Sequence, residues 1–289
     1  MTAGTEAVSP SLTGRARADE IRAEVALLAA ELTANGTPPR LAVVVATEDE
    51  STAWYVRSIA RAAAKSGLAC DTVTLDADAE PARIRETLEA LSADPAVHGV
   101  ILQTPLPQGA VAAELAAAID PAKDVDGANP LSLGRLAAGL PAFAPATAEA
   151  VVQLLDAHRV TLTGRTVAVV GRSTVVGKPL AHLLLDRDAT VTVCHSRTAD
   201  LAAVTRQADI VVAAAGRPGL ITAAHVREGA LVVDVGTNPT PEGGLTGDVD
   251  AASVAPKAAA LSPVPGGVGP ITTALLLRHT VRAAERAAR

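Results

Sequence analysis

The stretch VAVVGRSTVVGKPLAHLLL (167–185) decides the fold. It opens on small and β-branched apolar residues, the composition of a strand buried on both faces. Residues Gly171 to Gly177 then form a turn, and KPLAHLLL spaces its leucines as a helix does. A strand, a glycine-bounded turn and a helix make the opening of a Rossmann-like unit. Such a turn lets backbone N–H groups and the positive end of the helix approach a pyrophosphate. Ser173 occupies the place of the second glycine of a GxGxxG pattern, so Gly171 and Gly177 alone bracket the turn.

The next strand, TVTVCH (190–195), ends in Ser196 and Arg197. In a unit of this kind that strand end meets the adenosine ribose, and an acid there accepts the 2′-hydroxyl of NAD. Here the groups are a hydroxyl and a guanidinium, with Arg172 in the preceding turn. They suit a 2′-phosphate, which favours NADP. His195 reads as lining that site and Cys194 as a buried strand thiol.

Outward from this point, DIVVAAAG (209–216) and LVVDVG (231–236) read as two more strands apolar on both faces, and a last helix fits 271–288. Towards the N-terminus the same rhythm holds. Helices are predicted over 16–35, 51–66, about 80–92, 110–118 and 145–157, with strands at 41–46, 70–75 and 98–103. Alternation of this kind predicts an α/β fold with mostly parallel sheets covered by helices. The domain boundary is expected near 146–160, with the last helix packing back on the first domain.

Of the 289 residues, 49% are hydrophobic and 19% charged, enough for a substantial core and against disorder. Aromatics are limited to Trp54, Tyr55 and Phe143, so the core must be aliphatic and the lone tyrosine stands out. A net charge of -6 without a basic run argues against a nucleic-acid surface. Cys70 and Cys194 are far apart and in no CxxC pattern, so neither a metal site nor a disulfide framework follows. The opening MTAGTEAVSPSLTG has no apolar core of a leader, and no run is apolar enough for a membrane span. A soluble, cytoplasmic protein is expected.

Three first-half stretches need a chemical reason. STAWYVRSIARAAAKSG (51–67) places Tyr55 and Ile59 one helical turn apart on one face. GVILQTPLPQG (99–109) puts Gln103 at a strand end before two prolines. DPAKDVDGANP (120–130) packs acids and Lys123 into a loop, where a local salt bridge is the expected role of the lysine. A late loop, SPVPGGVGPITTALL (262–276), is rich in Gly and Pro before it turns into a helix.

Together these stretches resemble the methylenetetrahydrofolate dehydrogenase/cyclohydrolase family. QxPLP, KDVDG, VVGRSxxVGxP, CHS, DVGxN, GDVD and PVPGGVGPxT occur in the family's order, from LTGRARA (12–18) to the last helix. The resemblance implies an N-terminal α/β catalytic domain (1–147 plus 272–289) and a Rossmann-like NADP-binding domain (148–271), with a cleft between them, in a homodimer. It implies that Tyr55, Gln103 and Asp126 serve the chemistry. Tyr55, Ile59, Asp126, Pro265, Gly266 and Gly267 would line the folate site. Asp126 would anchor the pterin, whose N–H donors suit an ionised carboxylate. NADP would be lined by Thr147, Gly171, Arg172, Ser173, Gly177, Ser196, Arg197, Thr237 and Thr272.

The chain departs from the family at one decisive place. The family reads YVxxK, with Gln103 holding the lysine; here the motif is YVRSI and the position is Ile59. Arg57 and Arg61 point to other faces of the helix, and Lys65 is more than a turn away. ATEDEST (46–52), GANP (127–130) and PATA (145–148) also differ from the family pattern, all outside the cofactor turn. Hydride transfer needs proximity and orientation, whereas cyclohydrolysis needs an acid/base group, which isoleucine cannot be. The expected activity is therefore NADP-dependent oxidation of 5,10-methylenetetrahydrofolate with hydrolysis weak or lost. One-carbon transfer without net redox, a non-catalytic binding protein and an ordinary bifunctional enzyme are the alternatives.

Overall fold

The computed structural model describes residues 10–240 and 243–289. The polar opening stretch therefore lies, through residue 9, outside the described residues. The chain divides into two compact units: Ala18–Ala146 with Thr272–Arg289, and the segment up to Arg17 with Thr147–Ile271.

The first unit contains most of α1 (Arg15–Ala34), then β1 (Arg40–Val45), α2 (Glu50–Lys65), β2 (Ala69–Thr74), α3 (Pro81–Ala93), β3 (Gly99–Leu102), α4 (Ala112–Ala116) and α5 (Pro130–Ala137). Its sheet has the order β2-β1-β3 and is parallel throughout, with Leu41 opposite both Cys70 and Gly99. The central strand RLAVVV is buried almost end to end, as a strand covered on both faces must be. One core packs Ala42 and Val44 of β1 against Ile84 and Leu88 of α3 and Leu115 of α4. Each such side chain contributes about 1.5–3 kcal/mol by leaving water.

After α4 the chain returns along the free edge of β3. The Val100 N–H donates to the Lys123 carbonyl (2.9 Å), and Asp124 makes a parallel bridge to Val100. The KDVDG segment is thereby fixed to the sheet. The helix α5 is a finding that the sequence did not announce. Asn129 caps it by accepting from the Leu131 N–H (2.7 Å), and Pro130 sits at its first position.

The second unit contains nearly all of α6 (Ala146–Ala157), then β4 (Thr166–Val170), α7 (Gly177–Leu185), β5 (Thr190–Cys194), α8 (Leu201–Thr205), β6 (Ile210–Ala213), β7 (Leu231–Asp234), β8 (Asn238–Pro239), β9 (Leu245–Thr246), α9 (Ala251–Val254) and β10 (Ala260–Leu261). The five-stranded sheet has the order β10-β7-β6-β4-β5, all parallel, while β8 and β9 form a small antiparallel pair. The last helix, α10 (Val268–Ala287), starts in this unit and joins the first from Thr272 onward. It begins three residues before the expected 271, because Val268, Gly269 and Pro270 already belong to its first turn.

Residues before 18 are expected in the first domain; the described ones bond within the second unit, Leu12 N–H to the Leu261 carbonyl (3.0 Å) and Gly14 N–H to the Gly266 carbonyl (2.9 Å). Strand β5 is not buried on both faces. It is the sheet edge, and only Cys194 is fully covered. No helix among the described residues is long and apolar enough to cross a membrane.

Candidate functional site

In the second unit, the turn after β4 is built by close backbone contact. Gly171 has φ +136°, and a Cβ there would stand 2.0 Å from the Ala214 carbonyl oxygen. A Cβ on Gly177 would stand 2.0 Å from the Gly171 carbonyl oxygen. Glycine is required at both ends because any side chain would force the turn open. Ser173 orders the turn from within, its Oγ accepting from the Val176 N–H (3.1 Å). The amides of Arg172, Ser173, Thr174 and Val175 find no acceptor among the described residues. These donors precede α7, where the helix dipole favours an anion.

Arg172, Ser196 and Arg197 are exposed. His195 belongs to the turn that presents the last two: its N–H donates to Thr198 Oγ1 (2.9 Å), and its Nδ1 accepts from the Arg197 N–H (3.2 Å). That ring nitrogen is committed to holding the loop.

Thr237 is exposed and sits in a loop braced by two buried acids. Asp234 accepts from the N–H groups of Gly236, Asp248 and Val249. Asp248 accepts from those of Ala215, Gly216 and Arg217 and from Asn238 Nδ2. As motif letters these acids carry no evident role; in the fold, DVGxN and GDVD are the two halves of this brace. Thr147 is half-buried at the start of α6, and Thr272 is buried in α10. In the loop before α10, Gly267 is buried and donates to the Pro263 carbonyl (2.9 Å), Gly266 has φ +113°, and Pro265 is exposed.

A cavity of about 360 Å³ opens at the amino ends of β4, β6 and β7, between Arg165, Asp209 and Arg227. None of the candidate residues lines it, and ligands of parallel sheets bind at the opposite, carboxyl ends.

In the first unit, α2 begins where Asp49 caps the Thr52 N–H (2.7 Å), which orders the ATEDEST segment. One helix turn later comes Tyr55, half-buried. Burial and then the Asp126 charge push its phenol above the ordinary range, against a hydrogen bond with Thr273. This keeps the Tyr55 phenol in its neutral form, with a hydrogen to donate. Ile59, expected among the residues lining a ligand, is fully buried and offers no surface to one. Arg57, Arg61 and Lys65 are all exposed. Gln103 follows β3, its N–H bonded to the Val44 carbonyl (2.9 Å), and its side chain bonds to none of the described residues.

Asp124 is completely buried and accepts from the N–H groups of Ala128 and Asn129 (both 2.9 Å). It braces the loop. Burial lifts the Asp126 carboxyl to about 7, and Asp124 adds to the lift; His279 and the Ala146 N–H oppose it. Lys123 does not make the local salt bridge expected of it. Its ammonium donates to the Asp94 carbonyl (2.6 Å), because the bridge to β3 turns it towards the end of α3. His279 escaped sequence reasoning; one histidine inside an apolar helix gives no signal without the fold. Among the described residues, no group of three or more His, Cys, Asp and Glu is placed to hold a metal ion.

A unit with a glycine-bounded dinucleotide turn and a second α/β unit with a buried carboxylate loop define a two-domain α/β protein of the nucleotide-dependent enzyme class. The tetrahydrofolate dehydrogenase/cyclohydrolase catalytic-domain model matches residues 12–126, and that family's NAD(P)-binding-domain model matches 145–288. The chain belongs to the tetrahydrofolate dehydrogenase/cyclohydrolase family. It is 69% identical over 276 residues to the bifunctional protein FolD 1 of Saccharopolyspora erythraea, covering 96% of this chain and 94% of that one. The FolD dehydrogenase/cyclohydrolase of Campylobacter jejuni superposes with a TM-score of 0.91 at 37% identity, over 95% and 98% of the two chains. That of Trypanosoma brucei, solved with NADP and an inhibitor, gives 0.92 at 36% identity over 98% and 99%.

Proposed function

We propose that this enzyme oxidises 5,10-methylenetetrahydrofolate to 5,10-methenyltetrahydrofolate with NADP, and that its hydrolysis of the product is weak or absent. Bound NADP would supply the hydride acceptor. The residues present suit it: the free amides after Gly171 match a pyrophosphate, and Arg172, Ser196 and Arg197 match a 2′-phosphate. Thr147, Thr237 and Thr272 offer hydroxyls, and Ser173 and Gly177 shape the turn. In the first unit, Asp126 would receive the pterin donors, with Tyr55 donating near the reacting carbon. Pro265, Gly266 and Gly267 would contribute backbone to the folate. Gln103 would reach the substrate with an amide that none of the described residues occupies.

One observation carries the hydrolytic part of this reading. The lysine position holds a fully buried isoleucine, while the nearby cations Arg57, Arg61 and Lys65 are exposed. Water activation by a positioned acid/base group accounts for about 10²–10⁴ in rate, and no such group stands at 59. The unengaged Gln103 side chain fits a helper whose lysine partner is gone. The word bifunctional in the Saccharopolyspora protein's name favours the opposing reading, an ordinary dehydrogenase/cyclohydrolase. The two are separated by following NADPH formation and methenyl-folate decay in one purified sample, with NADP and with NAD. Methenyl-folate should accumulate, and NADP should be preferred. Oxidation and hydrolysis at matched rates would end the proposal. We take the enzyme to be a cytoplasmic homodimer, which sedimentation would check.

A further inference from the structure

The first unit holds two buried imidazoles that the proposed function leaves unused, His98, whose Nδ1 accepts from the Arg40 N–H, and His279, which lies beside the KDVDG loop. His279, on α10, is 5% exposed, and its Nδ1 stands 2.7 Å from the Val125 carbonyl oxygen. A carbonyl only accepts, so Nδ1 carries the hydrogen and the orientation of the ring is fixed. Val125 is the residue between Asp124 and Asp126. The His279 ring also packs on Phe143, with centroids 4.9 Å apart at 31°, and the Arg286 guanidinium lies 4.7 Å from the centre of the Phe143 ring. In a chain with three aromatics, one is spent here.

The other side of the loop is held just as closely. A Cβ on Gly127 would stand 2.5–2.7 Å from the backbone of Phe143, Ala144 and Pro145. From the same segment, the Ala146 N–H faces Asp126 and favours its charge. The Val125–Asp126 backbone is thus gripped between α10 and residues 143–146.

We propose that His279 is a positioning residue for the substrate: its Nδ1–H locks the Val125 carbonyl, and so aims the Asp126 carboxylate at the donors of a bound pterin. His279 also opposes the lift of the Asp126 carboxyl and so favours its ionised form, the form that accepts two hydrogen bonds. The groups facing Asp126 are Asp124 from its own loop, Tyr55 from α2 and His279 from α10. Among the described residues, Asp124 and Asp126 couple to His279, and Arg286 lies beyond Phe143. The kinetic part of this proposal rests on the reading of Asp126 as the folate anchor; the electrostatic part does not.

Two variants separate the parts. His279→Leu removes both the hydrogen bond and the charge. His279→Asn keeps a side-chain N–H for the Val125 carbonyl and cannot become a cation. The leucine variant should raise KM for methylenetetrahydrofolate about tenfold with little change in kcat or in KM for NADP. The asparagine variant should recover most of that loss at about pH 8, above the Asp126 midpoint. It should still show the acid limb of kcat/KM displaced to higher pH. The Asp126 carboxyl can also be titrated by carbon NMR without substrate, and its midpoint should rise by about half a unit or more in both variants. An unchanged KM in the leucine variant overturns the positioning role. A midpoint shared by all three proteins overturns the electrostatic one. If the wild-type enzyme neither binds nor oxidises the folate, the assigned function is at fault, and the titration still decides the coupling.

Discussion

Around the cofactor turn, Arg172, Ser173, Ser196 and Arg197 stand in water and the glycines press backbone against backbone. Around the KDVDG loop, Asp124 and His279 are withdrawn from water, and the charge of Asp126 is shaped by its neighbours. On the proposed function, the difference follows from what each unit has to bind. A phosphate brings its own charge and needs only exposed donors and a helix end. A neutral pterin offers N–H donors, so the protein must supply the charge and shield it, and a shielded carboxylate titrates near neutrality.

The contrast can be broken or sharpened by mutation. The largest effect should come from Asp126→Asn, which should lower kcat/KM for methylenetetrahydrofolate by roughly 10²–10³-fold. NADP affinity measured by calorimetry should stay as it was. A parallel loss in NADP affinity would mean that the two units do not work separately.

Next comes Gly171→Ala. With φ +136° and an oxygen 2.0 Å from the new Cβ, it should lower unfolding stability by roughly 3 kcal/mol or more. Gly216→Ala, at φ +64° with nothing within 4 Å, should cost only about 1–2 kcal/mol. Equal losses in denaturant unfolding would refute the role given to close approach. Arg197→Ala should weaken NADP roughly 10–30-fold and leave NAD within error, because only the 2′-phosphate is concerned. A ratio of kcat/KM values that does not move would place the phosphate elsewhere.

The smallest effect is on thermal stability. The folded protein holds the Asp126 proton up to about pH 7, well above the ordinary carboxylate range. Stability attached to this group is therefore present at low pH and is lost as pH rises from about 4 to about 7. Asp126→Asn should match the wild type in Tm near pH 4 and exceed it by roughly 3–6 °C at pH 8. A constant difference across that range would contradict the shift.

The second unit was the more legible in the sequence. Its strands are short apolar runs and its turn carries two glycines, both local signals, and β4 and α7 fall within two residues of the sequence reading. The exposed β5 was misread because burial on the second face depends on which strand ends the sheet. The first unit's site depends on contacts far apart in the chain. Val100 turning Lys123 towards Asp94, and His279 reaching Val125 across 154 positions, have no local signature. The grouping of Leu12 and Gly14 with the loop at Gly266 is of the same kind. The isoleucine at 59 is plain in the letters; the structure adds that the cations on the same helix, Arg57, Arg61 and Lys65, are exposed.

The most direct measurement supplies methenyltetrahydrofolate itself and times its hydrolysis by the wild-type enzyme and by Ile59→Lys, with NADPH formation from methylenetetrahydrofolate followed in parallel. The wild type should barely exceed the buffer rate while oxidising its substrate normally, and the lysine variant should gain about 10²-fold or more in hydrolysis. Fast hydrolysis by the wild type, with no gain on restoring lysine, would contradict the account.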